Sequence, residues 1–78
     1  MNTKENQNPL KKLMRLRDVS GRLLAKKINI SPQRVGHRIK HLHFTTDELP
    51  IMAKLLKVSE QNLLRVIRND KEVFSEII

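Results

Sequence analysis

Gln33, Arg34, Gly36, His37 and Lys40 are the residues of this chain whose types and spacing could read another molecule. Placed on a helix, Val35 and Ile39 share an apolar stripe at i, i+4, and these residues occupy the polar, cationic remainder. A glutamine amide carries a donor and an acceptor side by side and can bond both edge atoms of an adenine. An arginine fork matches the paired acceptors of a guanine in the same way. His37 lies one turn further on, within reach of the next bases, and Gly36 lets the helix backbone approach closely. Gln33, Arg34, Gly36 and His37 are therefore the expected base contacts. Arg22, Lys26, Ser31, Arg38 and Lys40 are the expected phosphate contacts, which fix register without reading sequence.

Such a face needs a support that holds it still. Over Gly21 to Lys40 the apolar spacing predicts two short helices, the first buried through Leu24, Ala25 and Ile28. Between them Asn29 tolerates positive φ and can end the first helix. Ser31-Pro32 opens the second: the hydroxyl caps unpaired amides, and proline suits the first helical position. The methyl side chain of Ala25 lets the two helices cross closely. Ser20 is the expected cap of the first helix, whose N-terminal amides and Arg22 favour an anion.

This arrangement resembles the helix-turn-helix of the phage Cro and repressor-type (XRE-like) DNA-binding family. The family's small residue in the first helix falls on Ala25, its turn glycine on Asn29, and its first buried position in the recognition helix on Val35. Its second buried position falls on Arg38, beside Ile39, which can supply the core contact. The run ELPIMAKLLKVSEQNLLRVI, Glu48 to Ile67, is similar to the family's fourth and fifth helices. The likeness covers Leu10 to Ile67. Gly21 departs from it, standing where the family often has a glutamine that clamps a phosphate, and Arg38 departs at a position more often apolar. The resemblance implies an all-α, compact five-helix Cro/repressor-like bundle, with a short sixth helix at the C-terminus as an option. It also implies a transcriptional regulator, typically a repressor of phage or prophage type, that covers a palindromic operator as a homodimer.

Charge supports a polyanionic partner independently. Residues 1–43 carry 11 Lys/Arg against 2 Asp/Glu, and residues 44–78 carry 5 against 6, so the first half accounts for all of the net +8. Solubility alone needs no such segregation. The core must be aliphatic, built from 11 Leu, 7 Ile and 5 Val against two Phe and no Trp or Tyr. No cysteine means no disulfide framework and fits a reducing compartment. The polar start MNTKENQNP is unlike a secretory signal, and no apolar run approaches a membrane span, so a cytoplasmic location without membrane contact is expected.

Three segments are expected: a disordered arm at 1–7, the DNA-binding domain at 8–69, and a dimerisation segment at 70–78. Asn8-Pro9 starts a helix with Leu10, Leu13 and Met14 inward. Thr45 to Glu48 reads as a capping box, and Phe44 as a wedge between helices. Leu49, Met52, Ala53 and Leu56 form the next core stripe, with Leu63, Leu64 and Ile67 after the Val58-Ser59 break. Val73, Phe74, Ile77 and Ile78, with Val66 and Ile67, form an apolar stripe expected to pair two copies; the alternative is that this tail folds back on its own core.

Other chemistry is poorly supported. His37 and His41 stand at i, i+4, but no cysteine or acidic third ligand accompanies them, and His43 lies past the expected helix end, so no metal is expected. No nucleophile-base pair, phosphate loop or carboxylate pair suggests an enzyme or a cofactor. No small-molecule effector is expected. RNA readers usually carry stacking aromatics, which the outward faces lack. A protein-interaction module on the same fold, such as an anti-repressor or an antitoxin-like partner, is the main alternative. It predicts an exposed apolar face and gives no reason for a cationic one.

Overall fold

In the computed structural model, residues 8–77 are described, and their regular structure is entirely helical. The elements are α1 (Pro9–Leu16), α2 (Gly21–Ile28), α3 (Pro32–His41), α4 (Glu48–Leu56), α5 (Glu60–Ile67) and α6 (Val73–Ile77). The all-α expectation holds, short sixth helix included. No helix among the described residues is long and apolar enough to cross a membrane. The expected arm at 1–7 lies outside the described residues.

The helix starts follow the sequence closely. Asn8 Oδ1 accepts from the Leu10 and Lys11 amides, and the hydroxyls of Ser20, Ser31 and Ser59 accept from Leu23, Arg34 and Asn62. Each bond satisfies an amide that the helix itself leaves unpaired. The capping box at α4 is only half formed. Glu48 reaches back to the Thr45 amide at 3.0 Å, but Asp47 takes the cap position without a side-chain bond.

The ends of the first five helices are uniform. Each is followed by a left-handed residue: Asp18, Asn29, Leu42, Lys57 and Asn69, all with φ between 52° and 64°. The amide after each bonds back to a carbonyl of the last turn: Val19 to Met14, Ile30 to Ala25, His43 to Arg38, Val58 to Ala53, and Asp70 to Arg65. This is the Schellman stop, in which the residue after the left-handed one often packs inward. Val19 is buried, and Ile30 and Val58 pack against the core, so these three stops also contribute apolar area.

α2 packs on α3 and α4, α5 on α1, α4 and α6. Leu10, Leu13, Leu24, Met52, Leu56, Leu63, Val66 and Val73 are fully enclosed where these layers meet. Burying one such side chain contributes about 1.5–3 kcal/mol relative to exposure. Polar links fasten the layers at their edges. Asn8 Nδ2 donates to the Ile39 carbonyl at 3.0 Å, tying the start of α1 to α3. Arg17 donates to the carbonyls of Leu56 and Ile77, each at 2.9 Å, and so closes the ends of α4 and α6 from α1.

The proposed dimer seam needs correction. Val66 and Val73 are 0% exposed and Phe74 is 8% exposed, all within this chain's own core. Ile67 and Ile77 are half-buried against the same core, and Ile78 lies outside the described side chains. The physical reason is that α6 has partners at home. Lys12 Nζ sits 4.5 Å from the Phe74 ring centre, and Arg65 holds both Asp70 and Glu76. The tail therefore folds back, and no domain boundary falls at residue 69 in the core it shares with α1–α5.

Candidate nucleic-acid interface

α3 is held from one side and open on the other. Val35 is 1% exposed and Ile39 5% exposed, which turns Gln33, Arg34, Gly36, His37, Lys40 and His41 to the surface. Ala25 is buried in α2, which crosses α3. Asn29 takes φ 61° and ψ 46°, so the expected left-handed break between the two helices is present. At Gly36 an added Cβ would meet nothing within 4 Å. The fold therefore does not require glycine there, and the gap belongs to the outward face. At Gly21 an added Cβ would rest 3.8 Å from Val35 Cγ1, an ordinary contact.

Gln33, Arg34, His37, Arg38, His41 and His43 line one open depression along α3. The rings of His37 and His41 lie 4.4 Å apart, centre to centre. His43 was set aside in the sequence because it follows the helix. The left-handed stop at Leu42 bends the chain so that its amide bonds Arg38, and its side chain joins the same depression. A turn at leucine leaves no trace in the sequence, so this placement was not legible there. Among the described residues no group of three or more His, Cys, Asp or Glu could hold a metal ion.

Arg38 is not the free phosphate ligand expected of it. Its guanidinium donates to Glu48 at the start of α4, and both side chains are largely enclosed. Burial pushes the Glu48 carboxyl up, but the Thr45 amide and the Arg38 guanidinium outweigh it and hold the group below its ordinary range. This pair locks the C-terminal half of α3 to α4. It also explains how an arginine fits a position that resembles a buried one: its charge is answered locally.

The remaining expected phosphate ligands stand differently. Arg22, Lys26 and Lys40 are exposed and have no carboxylate partner among the described residues. The Ser31 hydroxyl accepts from the Arg34 amide, which leaves its own proton to donate. A second depression joins Lys11 and Arg15 of α1 to Gly21 and Ile39. Lys11 and Arg15 stand at i, i+4, one turn apart on α1, which brings both to the same depression. Comparison with family models, with curated proteins and with solved structures gave no significant match.

Proposed function

We propose that this chain is a sequence-specific double-stranded DNA-binding regulator of the Cro/repressor type, reading the major groove through α3. The observation that carries this is the division of α3. Val35 and Ile39 are buried, while a continuous face of Gln33, Arg34, Gly36, His37 and Lys40 is exposed and its depression has no carboxylate in its lining. A major groove about 12 Å wide admits one helix and presents a distinct donor and acceptor pattern for each base pair. Arg22 and Lys26 on α2 then serve as backbone contacts beside it. Two copies would cover two half-sites about 34 Å apart, pairing through a surface other than the buried Val66, Val73 and Phe74. Control by occupancy of a palindromic operator, as a repressor, is the regulatory mode proposed.

Selection from random duplexes tests this directly: a recurring palindromic site is expected. Gln33→Ala or Arg34→Ala should then cost about 1–3 kcal/mol and relax one position per half-site. If both truncations leave site preference unchanged, α3 is not the reading helix.

A further inference from the structure

We propose that the histidines of this chain make DNA binding proton-linked, so that the complex tightens as the pH falls. The inference rests on the reading of α3 as the DNA-contacting helix and adds a mode of control to it. The sequence holds 3 histidines, His37, His41 and His43, and all of them line the depression on α3. Histidine is the side chain whose charge ordinarily changes between about pH 5 and 8. All of the chain's imidazoles are thus gathered on the surface proposed to meet a polyanion.

The lining supplies these rings with no carboxylate. The His37 and His41 rings are 4.4 Å apart, centre to centre, so both lie where a single bound anion would be felt. Arg34 adds like charge from the same lining, whereas the charge of Arg38 is answered by Glu48. Glu48 of α4 is already engaged by Arg38 and the Thr45 amide. The other charged groups of the neighbouring elements are Arg22, Lys26 and Lys27 of α2, Lys11, Lys12 and Arg15 of α1 and Lys54 of α4, with Arg17, Asp18, Asp47 and Lys57 at the helix ends. None of them lines the depression. A phosphodiester would bring opposite charge to a place whose lining in the free protein holds no carboxylate. The bound state then holds more protons than the free state, and by linkage affinity is greatest at low pH and declines as pH rises.

The test uses the full chain, a mixed-sequence duplex of about 20 base pairs at low salt, where the phosphate contribution is largest, and the double variant H37Q/H41Q. Glutamine keeps hydrogen-bonding capacity but does not titrate. Affinity is measured at pH 6 and pH 8, and proton uptake is taken from binding heats in two buffers of different ionisation enthalpy. The wild type should bind roughly tenfold more tightly at pH 6, taking up protons, and the double variant should lose most of that difference. Proton resonances of the rings, followed through a pH titration with and without DNA, give a second measure that needs no variant: both rings should stay charged to higher pH in the complex. Equal affinity at both pH values overturns proton linkage while leaving DNA binding intact, and a slope that survives in the double variant overturns its assignment to His37 and His41. Absence of binding at every pH overturns the DNA reading itself, and this inference with it.

Discussion

Arginine is put to two uses in this chain, and the difference separates its halves. In the C-terminal half Arg65 donates to Asp70 at 2.9 Å and to both carboxylate oxygens of Glu76 at 2.8 Å. These bonds raise its own proton affinity and hold both carboxyls below their ordinary range. Arg34 in the N-terminal half stands exposed on α3, with no carboxylate partner among the described residues. Charge around Arg65 is answered within the chain and fastens α6. The exposed cations Arg22, Lys26, Arg34 and Lys40 of α2 and α3 have no carboxylate partner among the described residues. Stability and recognition should therefore respond to different substitutions.

The largest effect that could break this division is expected in the C-terminal half. Phe74→Ala removes most of an enclosed ring from the α6 contact and should cost about 3–4 kcal/mol in a urea or thermal melt. Arg34→Ala should leave the same melt within about half a kcal/mol while weakening DNA binding. A large loss of stability from Arg34→Ala, or none from Phe74→Ala, would erase the distinction.

Glu48→Ala is expected to have an intermediate effect, because this pair joins the two regions. It removes the partner of Arg38 and the acceptor of the Thr45 amide, and should cost about 1–2 kcal/mol of stability. It also frees Arg38 on α3. Binding to mixed-sequence duplexes should then gain steeper salt dependence, read as the slope of log affinity against log salt, as expected for an added phosphate contact. An unchanged slope would mean that Arg38 does not reach the backbone even when released.

These cases show where the sequence was informative. Local chemistry was legible: Asn8, Ser20, Ser31 and Ser59 each cap the helix they precede. The stripe on α3 was legible for the same reason, since Val35 and Ile39 are separated by one turn. What depended on two distant segments was not. Arg38 reads as outward until α4 brings Glu48 to it. Val73 and Phe74 read as a seam until Arg17, from the end of α1, bonds the carbonyl of Ile77. Periodicity shows that a stripe must be covered, but not by what.

Acid should loosen the C-terminal half by a smaller amount. Hydrogen bonds from Arg65 hold the Asp70 and Glu76 carboxyls below their ordinary range, so their contribution is present above the unfolded carboxylate value near 4. It is lost as pH falls through their lower folded values. Arg65→Gln should accordingly flatten the fall of stability between about pH 4 and pH 2. An identical acid slope in the variant would show that the latch contributes nothing measurable, as many exposed ion pairs do.

The smallest expected effect compares the helix stops of the two halves. Asn29, between α2 and α3, and Lys57, after α4, occupy nearly the same left-handed conformation, at φ 61° and φ 59°. Their side chains suit it unequally. Asparagine visits this region readily because its short amide bonds locally, whereas lysine bears the Cβ clash without that relief. Glycine has no Cβ to clash, but it brings greater backbone freedom to the unfolded chain. At Asn29 these terms should nearly cancel, so that Asn29→Gly changes stability by no more than a few tenths of a kcal/mol. At Lys57 the relieved clash should exceed the entropy, and Lys57→Gly should stabilise by about 0.5–1 kcal/mol. Lys57 is exposed, so little packing is lost to confuse the comparison. Denaturant melts of the two variants measure the difference. If Asn29→Gly gains as much as Lys57→Gly, the amide offers no relief at the α2–α3 turn, and that turn is strained like the other.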